Sequence, residues 1–285
     1  MSFRMNGNQQ INNGRPMILC EPSGGLCNRM RTLVSAIALA GDADAVLRVV
    51  WKADVRLSCR FEDLFEWPPG LASIHHVGDG FFYRVANYVV CKCFPNRLEQ
   101  VDVEAMNKAG SDFVGLARSG HRVFIRTHSG FYRDNDFSLL HLASGILNVV
   151  KGYGIERSKT IGVHIRRTDN KISATYSPTK LFLSAMETEL EHAPETVFFV
   201  ATDSPQEEEC LKVAFPGKII THRKSTYDRT DPQAIRDAAV DLYALASCRK
   251  IFGSYWSSFS DTAAAIYGIP LQILRYSDET DMGYV

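Results

Sequence analysis

Residues 160–214 read TIGVHIRRTDNKISATYSPTKLFLSAMETELEHAPETVFFVATDSPQEEECLKVA. Two apolar runs, Thr160–Arg166 and Thr196–Ala201, alternate with stretches near 178–192 and 205–214 whose apolar residues recur at helical spacing. Ser204-Pro205-Gln206-Glu207 supplies a serine N-cap, a proline at the first helical position and a glutamate at the third, the pattern of a capping box. The alternation continues downstream, with strands expected over Lys218–Thr221, Lys250–Gly253 and Pro270–Leu274 and helices near 232–247 and 259–267. Parallel strands joined by helices predict an α/β fold with helices on both faces of a sheet. Such sheets bind ligands at the C-terminal ends of their strands.

Towards the N-terminus the pattern repeats. Met17–Cys20 is a short apolar strand, Ser23-Gly24-Gly25 breaks it, and an amphipathic helix is expected from Asn28 through Met30, Leu33, Val34, Ile37 and Ala38. Strand, glycine loop and helix together aim backbone N–H groups at an anion. Ala45–Trp51 and His121–Thr127 read as further strands, and Asp136–Val150 as a helix through Leu139, Leu140, Leu147 and Val150. Residues 52–120, with a turn at Trp67-Pro68-Pro69-Gly70, are less periodic and are read only as α/β. The glycines of Lys151-Gly152-Tyr153-Gly154 mark a boundary. The expected organisation is a polar tail over 1–16, an N-terminal lobe over 17–150 and a C-terminal lobe over 151–285.

The chain has 285 residues, 45% hydrophobic, with 32 basic against 32 acidic side chains, enough for two lobes sharing an interface. Residues 1–150 carry 16 basic and 14 acidic groups and residues 151–285 carry 16 and 18. Neither half has the basic excess of a nucleic-acid binder, so phosphate recognition is expected to be local. No apolar run approaches the ~18 residues of a membrane span, and the N-terminal MSFRMNGNQQINNGR has no signal-peptide core. Seven scattered cysteines suit reduced thiols and a cytoplasmic protein. Cys91 and Cys93 lack a second Cys/His pair at zinc spacing, so no metal is expected; the glycine loop is neither a P-loop nor a GxGxxG fingerprint, and no cofactor is expected either.

Four strand ends carry polar groups that suit a ligand. In SGGLCNRMR, residues 23–31, Gly25 and Asn28 suit a diphosphate or sugar contact, or a plain glycine turn with an asparagine N-cap. In IGVHIRRTDN, residues 161–170, alternation places His164 and Arg166 on one face at the strand's end. Arg166 is read as a phosphate ligand, because a guanidinium stays charged and matches phosphate geometry; Arg167 is read as a structural partner of Asp169. Asp203 follows the strand of VFFVATDSP and suits a helix start. In the fourth stretch, Asp241 lies at the flank of a helix faced by Ile235, Ala238, Leu242 and Leu245, and Ser257-Ser258 opens the next helix as a second anion cradle. Phosphate-binding features in both halves point to one ligand between them.

Together these motifs resemble the fucosyltransferase superfamily of α-1,6-fucosyltransferases, nodulation fucosyltransferases and protein O-fucosyltransferases. The resemblance covers roughly residues 17–40 and 160–268, and its most specific part is HIRRTD followed by an aspartate and, after about fifteen residues, SSFS. It implies a GT-B-like fold of two Rossmann-like lobes and metal-independent, inverting transfer of fucose from GDP-fucose to a glycan or protein hydroxyl. By that resemblance Arg166 grips the β-phosphate, His164 and Asp241 hold guanine, and Ser257, Ser258 and Phe259 lie along the diphosphate. Gly25 and Asn28 match the first lobe's glycine loop, and Asp203 matches an acidic position of the α-1,6 branch. Two departures leave the general base unassigned. Residues 170–176, NKISATY, hold no carboxylate where the α-1,6 enzymes have a glutamate, and Gly24-Gly25 stand where one O-fucosyltransferase branch has a glutamate. Asp169, Glu21 and His128 are candidates by proximity alone. Another nucleotide-sugar donor, or a sugar-nucleotide-binding protein with impaired catalysis, are the alternatives. The aromatics Trp51, Trp67, Phe81, Phe82, Tyr83, Phe131 and Tyr132 suit sugar stacking or, more simply, core and turn positions.

Overall fold

The computed structural model describes residues 14–78, 93–119, 122–133, 136–168 and 170–276. Two five-stranded parallel sheets organise the chain. The first contains β1 (Met17–Pro22), β2 (Val46–Lys52), β3 (Leu71–Val77), β4 (Asn96–Leu98) and β5 (Arg122–Thr127) in the order β3-β2-β1-β5-β4. The second contains β6 (Thr160–Ile165), β7 (Val197–Thr202), β8 (Ile219–Thr221), β9 (Ile251–Ser254) and β10 (Leu271–Leu274) in the order β10-β9-β6-β7-β8. Every ladder is parallel. This is a GT-B-like α/β fold, as the sequence implies. In both sheets the strand order reverses beside the first strand, between β1 and β5 and between β6 and β9, and those crevices are where such folds receive ligands.

The helices are α1 (Leu26–Ala43), α2 (Gln100–Ala109), α3 (Phe113–Ser119), α4 (Ser144–Gly152), α5 (Lys171–Tyr176), α6 (Thr179–His192), α7 (Pro205–Ala214), α8 (Pro232–Ala246) and α9 (Ser258–Tyr267). Met30, Leu33, Val34 and Ile37 form the buried stripe of α1, which packs between the first sheet and α9. Helix α4 packs on α8, and Tyr243 on α8 donates to the Leu140 carbonyl at 3.3 Å. One hydrophobic cluster therefore runs without a break from Ile18 and Val49 of the first sheet to Phe199 and Ile251 of the second. A separate cluster of Phe182, Met186, Leu211 and Phe215 seals α6 and α7 onto the outer face of the second sheet.

Three expectations need correction. Asp136–Val150 is not one helix: a 3-10 turn at Phe137–Leu139 precedes α4, because residues 141–143 pair with the segment 64–66 through Glu66 N–H to the His141 carbonyl and Ala143 N–H to the Leu64 carbonyl, both 2.9 Å. Helix α1 begins at Leu26 with Gly25 as N-cap, so Asn28 sits in the first turn and is not the cap. At α7 the capping box is half formed: Ser204 Oγ accepts from Glu207 N–H at 3.4 Å, but the Glu207 carboxylate is drawn to Arg167 Nε at 2.7 Å and Thr179 Oγ1 at 2.8 Å. Residues 1–13 of the expected tail and most of Phe81–Cys93 lie outside the described residues. Among the described residues no helix is long and apolar enough to cross a membrane, and no group of three metal-ligating side chains converges.

Candidate functional site

The C-terminal ends of both sheets face a cleft of about 360 Å³. Gly25 and Asn28 from the start of α1, His164 and Arg166 from β6, Asp203 after β7, Asp241 on α8 and Ser257, Ser258 and Phe259 opening α9 all line it. The nine residues singled out in the sequence thus share one cavity.

The first wall is the glycine loop. Gly24 has φ +82°, and a Cβ there would lie 2.8 Å from Asn28 Nδ2, so glycine is required. The loop is braced by Arg29, which is fully buried: Nε donates to the Gly24 carbonyl at 2.9 Å, a second nitrogen to the Lys52 carbonyl, and a third to Asp54 Oδ1 at 3.1 Å. Its guanidinium also lies 5.2 Å from the Trp51 ring. Asp54 in turn accepts from Arg56 N–H at 2.9 Å, which sets Arg56 in the cleft wall. With no side chain capping α1, its first amides remain available to a ligand.

The opposite wall is built on β6. Asp203 Oδ1 accepts from Arg167 N–H at 2.8 Å and Oδ2 from Thr168 N–H and Oγ1 at 3.2 and 2.8 Å; Arg166 Nε lies 3.3 Å from the same Oδ2. Asp203 therefore folds the turn after β6 and aligns Arg166, and the cap of α7 falls to Ser204. Arg166 is partly buried, 19% exposed at the side chain. Arg167 is structural, held by Glu207, Thr179 and the Arg166 carbonyl. Its expected partner Asp169 lies outside the described residues.

His164 bonds through Nδ1 to Ser260 Oγ at 2.7 Å and stacks on Phe259 with centroids 4.8 Å apart. Burial, reinforced by the nearby Arg166 charge, pushes its pKa down to about 3, so the imidazole is neutral. This contact needs α9 tight against β9, where a Cβ on Gly253 would meet Ser260 Oγ at 2.7 Å. Ser257 is the N-cap of α9 but makes no capping bond, so its hydroxyl and the following amides stay available.

At the far side, Asp241 Oδ2 lies 2.8 Å from Lys224 Nζ, both side chains under a tenth exposed. Burial outweighs the lysine's pull and raises Asp241 to about 6. For Lys224, burial is outweighed by the attraction of Asp241, and its pKa rises. Asp241 Oδ1 is buried without a hydrogen-bond partner, as is Oδ2 of Asp237 one turn earlier. An unpaired buried acceptor costs about 1–3 kcal/mol, so Asp241 keeps an unused acceptor oxygen in the lining of the cleft. Behind it runs a chain from Tyr153 Oη to His222 Nδ1 at 2.6 Å and from His222 Nε2 to Asp237 Oδ1 at 3.0 Å.

Of the three general-base candidates, Asp169 lies outside the described residues, and Glu21 and His128 do not line this cleft. Glu21 is buried against Arg126 at 2.9 Å. His128 lines a separate, more open hollow of about 560 Å³ with Arg31, Tyr132 and Arg133. Among the described residues the cleft's carboxylates are Asp203 and Asp241. Of the aromatics, Trp51 and Phe131 are core residues, Trp67 closes a turn by donating to the Leu71 carbonyl at 2.9 Å, and Phe81, Phe82 and Tyr83 lie outside the described residues. Sequence reading missed Arg29, Lys224, Tyr227 and Trp256. Arg29 carried a signal, since it falls on the apolar stripe of α1 with Leu26 and Leu33; Lys224 did too, standing just past the end of a parallel strand.

No protein-family model matches the sequence, and no curated protein does. The fold does match solved structures. NodZ α-1,6-fucosyltransferase soaked with GDP-fucose is 18% identical over 88% of this chain and 92% of its own, with a TM-score of 0.60. A variant of Arabidopsis thaliana FUT1 in complex with GDP is 15% identical over 93% of this chain and 71% of its own, with a TM-score of 0.59. POFUT1 in complex with GDP is 12% identical over 92% and 99%, with a TM-score of 0.56. At these identities the shared property is the fold, and it is the fold that the sequence motifs imply.

Proposed function

We propose that the chain is a glycosyltransferase that moves fucose from GDP-fucose to an acceptor hydroxyl, with inversion and without a required metal. The observation that carries this reading is the convergence of nine motif residues from both lobes on one cleft. Donor identity draws on the fold neighbours, two crystallised with GDP and one soaked with GDP-fucose.

In this reading the guanine N1–H and N2–H groups donate to Asp241, whose unpartnered Oδ1 supplies the missing acceptor. Phe259 and neutral His164 flank the base or ribose, and the diphosphate lies between the uncapped starts of α1 and α9. The bond from the sugar's anomeric carbon to the β-phosphate oxygen breaks with its electron pair leaving on GDP. Arg166, oriented by Asp203, and the two sets of helix amides stabilise that charge; such preorganised donors are worth on the order of 100- to 1000-fold each in rate. The acceptor oxygen bonds the anomeric carbon from the opposite face. Its proton passes to water once the developing oxocarbenium charge has acidified it. Because both cleft carboxylates are already engaged, a donor-binding protein without transfer is the second reading.

Calorimetry with GDP, UDP, ADP and dTDP, and intact-mass detection of transfer from GDP-fucose to a glycan and peptide library, test this together. GDP is expected to bind at least tenfold more tightly than the others, and Asp241→Ala to erase that preference. Equal binding of all four nucleotides would overturn the guanine assignment; GDP preference with no transfer to any acceptor would select the second reading.

A further inference from the structure

The strand order β10-β9-β6-β7-β8 lays out the cleft as a line. Lys224 follows β8 at one end, Asp203 follows β7, Arg166 and Thr168 follow β6, and Trp256 with Ser257 follow β9 at the other end. A nucleotide sugar with its base at Lys224 and Asp241 and its phosphates at Arg166 and Ser257 directs its non-nucleotide end towards Trp256.

Trp256 is unusual in two ways that point to a ligand. Its φ of 57° lies in the left-handed region that a bulky L side chain rarely adopts, and such strain clusters at functional sites. It also lines the cleft while leaving 67% of its surface exposed. The conformation is held in place: Asn170 Nδ2 donates to the Trp256 carbonyl at 2.9 Å, while Asn170 Oδ1 accepts from Ser173 N–H at 3.0 Å and ties the clamp to α5. Tyr255, its ring 5.9 Å from Trp256, packs on Tyr176 at 5.6 Å and under the Arg275 guanidinium at 4.9 Å, and its N–H donates to Ser177 Oγ at 2.8 Å. The indole thus projects from a fixed aromatic ledge.

We propose that Trp256 is a stacking platform for a pyranose ring of the acceptor, so that the acceptor is a carbohydrate. The electron-rich face of an indole suits the polarised C–H face of a pyranose, and the neighbouring walls at Thr168 and Asn170 are polar enough for its hydroxyls. The proposal rests on the nucleotide-sugar reading above for the direction of the donor.

Saturation-transfer NMR on the GDP-loaded protein, with methyl glycosides of glucose, galactose and N-acetylglucosamine and a pool of Ser/Thr hexapeptides as probes, tests it. At least one glycoside is expected to receive saturation on one ring face. Trp256→Gly, which suits a positive φ and keeps the fold, is expected to weaken that binding at least tenfold, and Trp256→Phe to retain most of it. No glycoside bound by the native protein, undiminished binding by Trp256→Gly, or peptide binding as the property lost would overturn the proposal. GDP calorimetry on the same samples is expected to agree within twofold between native protein and Trp256→Gly; loss of GDP binding by the native protein would instead count against the nucleotide-sugar reading.

Discussion

Arg166 and His164 leave the same strand two residues apart, yet they do opposite electrostatic work. Arg166 reaches the cleft with Asp203 at its Nε, so its charge is aimed and partly balanced before any ligand arrives. Arg166→Ala is expected to lower turnover by about 1000-fold with an unchanged melting temperature, read from transfer rates and a thermal melt; near-native turnover would remove Arg166 from the chemistry. His164 is buried neutral. Its native pKa near 3 lies below the ordinary 6.5, so the unfolded chain takes up a proton that the native state refuses. About 5 kcal/mol of stability present above pH 6.5 is therefore lost as pH falls towards 3. Asp241, raised to about 6 from 3.8, acts in the opposite sense: the native state holds the proton more tightly between those values, so stability rises as pH falls through them. Denaturant melts from pH 7 to 4 are expected to be nearly flat in the native protein, where the two effects oppose, and to show stability rising towards low pH in His164→Gln. An unchanged slope would exclude His164 as the sensitive group. At this scale the sequence was legible where a side chain stood at the end of a strongly apolar strand. It was not legible where the role depended on a partner far along the chain, as with Lys224 for Asp241 or Asn170 for Trp256.

Helix α9 shows how an element carries a site. Its first turn provides Ser257, Ser258 and Phe259 to the cleft and Ser260 to His164, and it can do so only because β9 has no Cβ at position 253. Gly253→Ala is expected to destabilise the fold by about 1–3 kcal/mol in urea denaturation and to weaken GDP binding disproportionately, because Ser260 and Leu271 must both retreat. A stability loss with native GDP affinity would separate the helix position from the site. The central strands of the second sheet, β6, β7 and β9, were readable because both of their faces are buried, which leaves them as near-continuous apolar runs. The break in Asp136–Val150 was not, since apolar spacing is the same whether Leu142 belongs to a helix or pairs with Phe65. The capping box at Ser204 misled for a related reason: the glutamate that matches the pattern is claimed by Arg167 in the turn after β6.

For the whole molecule, the continuous cluster from Ile18 to Ile251 makes the two sheets halves of one core. Arg236 reaches Asp63 at 3.0 Å and Ser58 N–H reaches the Arg229 carbonyl at 3.3 Å, adding polar ties across the same junction. Scanning calorimetry is expected to show one cooperative transition that shifts upward with GDP, by about 2.7 kcal/mol at a hundredfold excess over Kd; two separated transitions would contradict the shared core. The same arrangement bears on attempts to build hybrids. Glycine-rich residues 152–154 look like a convenient splice point, yet α4, which precedes them, has its apolar partner in α8 about ninety residues later. A chimera joined there would inherit mismatched surfaces. Grafting loops at the rim of the cleft would leave that shared core intact, where recombining halves would not.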